Sequence, residues 1–241
     1  MKLENRRVLV LSAHSADFCS RAGGTILRLT EAGSSVHVCD MSYGEKCESG
    51  GLWARKVKPT IAEIKKIRAA EIQSSAQLLG ATIECFDYGD SPLILGPERR
   101  LRLIDKIREY QPDLVLTHWI NDMLHPDHVE TAQAALWACS YCGAPGIVTD
   151  HPPCGRPELV CFETTSGTAP VSGFVPDFYV DISAVFERKM AALRGLEAQP
   201  NLPEMYIILG QYRAMEASHS AGMKNCTYAE GFARIGKHAA L

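Results

Sequence analysis

Two short histidine clusters, His14-Ser15-Ala16-Asp17 and His125-Pro126-Asp127-His128, lie about 110 residues apart. Neutral imidazoles and carboxylates are good zinc ligands. His14, Asp17 and His128 would supply a His-Asp-His set, which suits an ion that keeps its fourth position open for catalysis. His14 and Asp17 are three apart on a tight turn, close enough to share one ion. His125 and His128 have the same spacing at a helix start, so both can face one way. Asp127 between them could orient a ring or cap the helix. Each cluster alone reads equally well as a polar turn satisfied locally; the two together, each at a strand end, favour a metal. The remaining histidines, His37, His118, His151, His219 and His238, read as plain polar residues, with His118 and His151 as reserve ligands. Cys139 and Cys142 form a lone CxxC pair with no second pair to match, and read as ordinary thiols.

Strands and helices must bring the clusters to one place. Val8-Leu9-Val10-Leu11 predicts a strand over 7–12, ending just before His14. Leu114-Val115-Leu116 predicts another over 113–117, shortly before His125. Further strands are expected around 36–39, 83–86 and 177–182. Apolar periodicity predicts helices over 20–33, 60–79, 97–110 and 127–141, and one from Ser183 to about 198. Residues 42–58 read as a loop over the site, and 143–176 as a long loop with short strands. Short apolar strands alternating with helices predict an α/β fold, a Rossmann-like, mostly parallel sheet with helices on both faces. Ligands of such sheets bind outside the carboxyl ends of the strands, where both clusters fall.

The 241 residues, 46% hydrophobic and 22% charged, form one expected globular domain over 1–241. A net charge of -3 leaves no basic excess for nucleic acid or an anionic membrane. No apolar run approaches the ~18 residues of a membrane span, and the first residues lead into a strand pattern, not a signal peptide. Nine cysteines without framework spacing favour reduced thiols and a cytoplasmic protein.

Several motifs together resemble the zinc-dependent PIG-L/LmbE-like deacetylases. They are His14-Ser15-Ala16-Asp17 with Gly23-Gly24-Thr25-Ile26, Arg68-Ala69-Ala70-Glu71 before Leu79-Gly80, Pro112-Asp113-Leu114-Val115, and His125-Pro126-Asp127-His128. Asp181-Ile182-Ser183, Lys189 and Ala191-Ala192-Leu193 extend the likeness to about residue 198, and Tyr228-Ala229-Glu230-Gly231-Phe232 resembles the family's tail. The resemblance implies zinc on His14, Asp17 and His128, with His125 beside the reacting oxygen, in a homo-oligomer. The usual family motif, His-Pro-Asp-Asp-Glu, places an aspartate base where this chain has Ala16, and a glutamate where it has Phe18. Alanine cannot take a proton, and a positioned base contributes roughly 10²–10⁴-fold.

A branch of the family, the 4-oxalomesaconate hydratases of aromatic-acid breakdown, is closer. The likeness lies in Ala13-His14-Ser15-Ala16-Asp17-Phe18 with Arg21-Ala22-Gly23-Gly24, and in Ser42-Tyr43-Gly44-Glu45 with Glu48-Ser49 and Leu52-Trp53. These enzymes add water to a double bond conjugated to carbonyl and carboxylate groups. Where that branch usually has Glu-Pro-His, this chain has Phe162-Glu163-Thr164-Thr165-Ser166, which leaves the particular substrate open. Hydration needs a polarised carbonyl, a positioned water and a proton for carbon, and zinc can supply the first as a Lewis acid. His125 would stabilise the enolate oxygen. Glu48 or Glu45 would replace the missing base, Glu48 being preferred from the resemblance, with His151 as a further candidate. Arg21 would pair with a carboxylate of a small-molecule substrate, and Arg55 and Arg68 are weaker candidates. Surface loop carboxylates and solvated arginines are the plain alternatives. The leading expectation is a zinc-dependent hydratase of an unsaturated oxo-carboxylic acid. An N-deacetylase is the alternative, and a non-catalytic metal-binding protein a third reading, opposed by retention of all four cluster residues.

Overall fold

The computed structural model describes residues 3–236; His238 lies outside them. Its strands are β1 (Arg7–Ser12), β2 (Ser35–Asp40), β3 (Thr82–Cys85), β4 (Leu114–Thr117), β5 (Glu158–Phe162), β6 (Phe178–Asp181) and β7 (Ala229–Arg234). They form one sheet in the order β3-β2-β1-β4-β5-β7-β6. The first five strands run parallel, and β7 lies antiparallel to both of its neighbours. The helices are α1 (Asp17–Glu31), α2 (Gly50–Trp53), α3 (Ile61–Leu79), α4 (Pro97–Tyr110), α5 (Pro126–Tyr141), α6 (Ala169–Ser172), α7 (Phe186–Arg194) and α8 (Leu202–Ser220). No described helix is long and apolar enough to cross a membrane.

The period-two geometry of a strand divides the core. Val8 and Val10 of β1 join Ile26, Leu29, Ile72, Leu79 and Met190 in the layer of α1, α3 and α7. Leu9 and Leu11 join Leu103, Ile107, Ala134 and Ala138 in the layer of α4 and α5. Both faces of the sheet are therefore covered, as the run of four apolar residues in β1 requires. Chain order moves outward from β1 through β2 to β3, then returns to β4 on the other side of β1. This reversal opens a crevice beyond the carboxyl ends of β1 and β4, where ligands of such sheets bind.

Several elements differ from expectation. The first helix begins at Asp17, so this residue occupies the helix start and not a preceding turn. The segment 42–58 contains α2, and 143–176 contains α6 beside β5, a short strand of the kind expected there. Ser183 opens a 3-10 turn, Ser183–Val185, before α7, because its hydroxyl and N–H both engage the Asp181 carboxylate. Helix α8 was not expected at all; its buried positions mix Tyr206, Gly210, Arg213 and Ala214, which blurs the apolar period.

A buried carboxylate explains three of the recurring motifs at once. Glu230 of β7 accepts from the Gly24 and Thr25 N–H groups inside α1 and from Lys189 Nζ at 2.8 Å. Gly24 is needed because a Cβ there would lie 2.6 Å from Ile182 Cγ2.

Candidate active site

His14 follows β1, and His118 follows β4, its neighbour in the sheet. His125 caps α5, whose first turn carries Asp127 and His128. The loop after β2 brings in Glu48. The four donors that converge are His14 Nδ1, the Asp17 carboxylate, His128 Nε2 and Glu48 Oε1. Asp17 oxygens lie 3.4 Å from His14 Nδ1 and 3.5 Å from His128 Nε2. Glu48 Oε1 lies 3.7 Å from the first nitrogen and 3.9 Å from the second.

This arrangement fits zinc. Ligands about 2.0–2.2 Å from a tetrahedral ion stand about 3.3–3.5 Å from each other. His14 Nδ1 and His128 Nε2 are buried and have no hydrogen-bond partner among the described residues. The opposite nitrogen of each ring is held by a carboxylate: His14 Nε2 by Asp127 at 3.2 Å, and His128 Nδ1 by Asp122 at 2.9 Å. Each carboxylate keeps the proton on its own side of the ring and leaves a lone pair toward the shared point. Asp127, anticipated as a ring-orienting or capping group, orients His14 and also accepts from Ser91 and Leu93 N–H.

Charge follows the same logic. Burial opposes an imidazolium at His14, but Glu48, Asp127 and Asp17 raise its pKa well above the ordinary 6.5. Burial, reinforced by His118, holds His128 well below that value. Burial disfavours the Asp17 carboxylate, yet the imidazoles of His128 and His118 hold its pKa well below the ordinary carboxyl value. Carboxylates enclosing two buried imidazoles make a place for a cation.

The other sequence candidates separate clearly. His125 joins the site: its Nε2 donates to Glu48 at 2.9 Å, and its ring stacks on His128 with centroids 3.6 Å apart. Ala16, at 2% exposure, packs with the apolar layer that includes Phe18, and its methyl side chain carries no base. Glu45 turns away from the histidines and lies 3.3 Å from Lys65 Nζ. His151 binds Asp105 beside α4 and does not approach the cluster. His118 is not available as a ligand through Nε2, which accepts from Ala13 N–H at 2.9 Å.

Among the arginines, Arg21 meets the cluster through Asp17, 3.3 Å from its Nε, and donates to the Glu163 carbonyl at 2.8 Å. Arg55 is instead an exposed partner of Glu197. Arg68 is fully buried, with donors engaged by the Tyr43 carbonyl, Glu71 and Gln199. Arg68 is thus engaged by partners within the protein, and Arg55 is paired at the surface.

Asp122 escaped sequence reasoning. It also accepts from the N–H and hydroxyl of Thr165, so the Glu163-Thr164-Thr165 segment buttresses His128 through it. Its only sequence signal is an acidic residue six positions before His128, which no periodicity marks.

The GlcNAc-PI de-N-acetylase (PIG-L) family model matches residues 9–139. The chain is 35% identical over 238 residues to a 4-oxalmesaconate hydratase of Pseudomonas putida, covering 98% of this chain and 91% of that protein. It is 28% identical over 233 residues to a diacetylchitobiose deacetylase of Thermococcus kodakarensis, covering 94% and 82%. The crystal structure of a 4-carboxy-2-hydroxymuconate hydratase from Pseudomonas putida superposes with a TM-score of 0.90 at 33% identity, covering 98% of each chain.

Proposed function

This chain belongs to the PIG-L family, and from that membership we propose that it is a zinc-dependent hydratase. Its substrate class is a small unsaturated oxo-carboxylic acid, like that of 4-oxalomesaconate hydratase. The observation that carries the reading is the transfer of the acid–base position. Ala16 provides no carboxylate, while Glu48 brings one to 2.9 Å from His125, at the mouth of the ligand set.

His14, Asp17 and His128 would hold the zinc, which when bound polarises the carbonyl conjugated to the double bond. Burial disfavours ionised Glu48, but His14 and His125 lower its pKa and keep it a carboxylate, the form of a base. Glu48 takes a proton from water as the water oxygen bonds to one alkene carbon. The alkene electron pair moves toward the carbonyl, and the His125 Nε2–H, released as Glu48 becomes protonated, stabilises the developing enolate oxygen. The proton held by Glu48 then passes to the neighbouring carbon, which completes the addition. Arg21 acts mainly by orienting Asp17, with its remaining donor capacity directed to a substrate carboxylate.

The test is the ultraviolet absorbance of a panel of conjugated oxo-diacids with zinc-loaded protein. Loss of the conjugated band is expected with at least one of them, and no change across the panel would sink the reading. The deacetylase relatives favour a second reading, hydrolysis of an N-acetyl substrate. Under it, the protein releases acetate from N-acetyl sugars or amino acids and Ala16→Asp raises the rate; under hydration neither form releases acetate. Nine free thiols support a reducing, cytoplasmic setting, and the family resemblance supports a homo-oligomer, which light scattering would measure.

A further inference from the structure

Glu48 belongs to a turn built closely against the ligand set. Its N–H donates to the Gly44 carbonyl at 3.1 Å, and Ser49 Oγ donates to the same oxygen at 2.9 Å. Gly44 has φ +66, and a Cβ there would stand 3.0 Å from Glu48 Cβ and 3.2 Å from His14 Cβ. The backbone of the turn is therefore fitted to His14. The carboxylate at its tip has a separate problem. A single hydrogen bond from His125 to Oε1 leaves the group free to swing about its terminal bond.

The second oxygen has one further neighbour. Gln199, between α7 and α8, places Nε2 3.4 Å from Glu48 Oε2. Its Oε1 accepts from Arg68 Nη2 at 3.1 Å. A guanidinium only donates, so the amide oxygen must face Arg68 and the NH2 group must face Glu48. Arg68 is fixed in turn by Glu71 at 2.9 Å and by the Tyr43 carbonyl at 3.1 Å. Glu71 also accepts from Ala198 N–H at 3.0 Å, which ties the segment carrying Gln199 to α3. The Arg68-Ala69-Ala70-Glu71 motif thus braces one side of the site without touching the ligands.

We propose that Gln199 is a positioning residue, which fixes the rotation of the Glu48 carboxylate so that Oε1 faces the ligand set. This inference rests on the assignment of Glu48 as the acid–base group. The 3.4 Å separation is at the long end for a hydrogen bond. Its loss is therefore expected to cost on the order of tenfold in kcat, well short of the roughly 10²–10⁴-fold for losing a general base.

Two variants separate positioning from bracing. Gln199→Glu keeps an acceptor for Arg68 but replaces the donor facing Glu48 with a negative oxygen. Gln199→Leu removes both contacts. The measurements are kcat and KM on an oxo-acid that the wild type hydrates, zinc content, and thermal melting. A fourth needs no substrate: the His125 Nε2–H resonance in nitrogen-15 histidine-labelled, zinc-loaded protein, assigned by its loss in His125→Gln. Gln199→Glu should melt with the wild type and hold zinc equally. Its kcat should fall about tenfold with KM within about twofold, and its His125 resonance should move. Wild-type kcat with an unmoved resonance in Gln199→Glu would overturn the proposal, leaving Gln199 a brace for Arg68. If the wild type hydrates none of the acids, the hydratase reading fails separately, and the resonance alone decides: movement in Gln199→Glu sustains positioning, and no movement overturns it.

Discussion

At the scale of single residues, the site is a set of paired obligations. Each imidazole of the proposed ligand set has one nitrogen on a carboxylate and one directed at the shared point. Removing the carboxylate frees the ring to turn and lowers its basicity. Asp122→Asn should weaken zinc binding by about 10–100-fold while leaving the three ligands in place. Competition with a chromophoric chelator measures this, and unchanged affinity would show that His128 needs no orienting partner. The proposed ligands could be named from the sequence because each cluster is contiguous and its spacing has a geometric meaning. Glu48 was legible only through family likeness; in isolation it is one loop carboxylate among several. Asp122 and Gln199 were not legible, because their partners are brought to them by the fold and no local period announces the contact.

At the scale of elements, the strands were readable because burial on both sheet faces demands continuous apolar runs, as in β1 and β4. Helix α3 was readable for its period and its ends: Thr60 forms a capping box with Glu63, and Gly80 supplies the left-handed stop. Helix α8 carries buried Arg213, whose guanidinium lies 2.6 Å from Glu163, so part of its inward face is polar. The packing of α1, α7 and β7 depends on the Lys189–Glu230 pair in the same way. Both side chains are almost fully buried, and Glu230 also caps two N–H groups of α1. Lys189→Met leaves that carboxylate charged and without its cation. A loss of about 3–5 kcal/mol in unfolding free energy is expected from denaturant titration. A loss below about 1 kcal/mol would mean that the two N–H groups suffice.

At the scale of the molecule, the ligand set is a clasp between distant segments. The contact between His14 and Asp127 spans 113 residues. Zinc bound by the folded chain alone should stabilise it by about 2.7 kcal/mol at a free concentration of one hundred times Kd, and His128→Ala should abolish the gain. The gain should also depend on pH. The raised His14 pKa stabilises the metal-free fold below the ordinary 6.5, and that stability is lost as pH rises through the raised value. Zinc needs neutral His14, so its advantage over the metal-free protein widens with rising pH. Melting curves with and without zinc at several pH values test this; a constant difference would mean that His14 binds no competing proton. The parallel half of the sheet followed from alternating strands and helices. The antiparallel return of β7 did not, because pairing direction is set by long connections and not by the strand's own residues.

The stacked rings have one more consequence. His128 lies between His118 and His125, with centroid separations of 4.0 and 3.6 Å, and Glu48 meets this wall at the His125 end. A flat, prochiral alkene laid against His125, the member of the stack that reaches solvent, would offer water only one of its two enantiofaces. Addition would then yield a single optical antipode, its handedness written in the side from which one carboxylate enters.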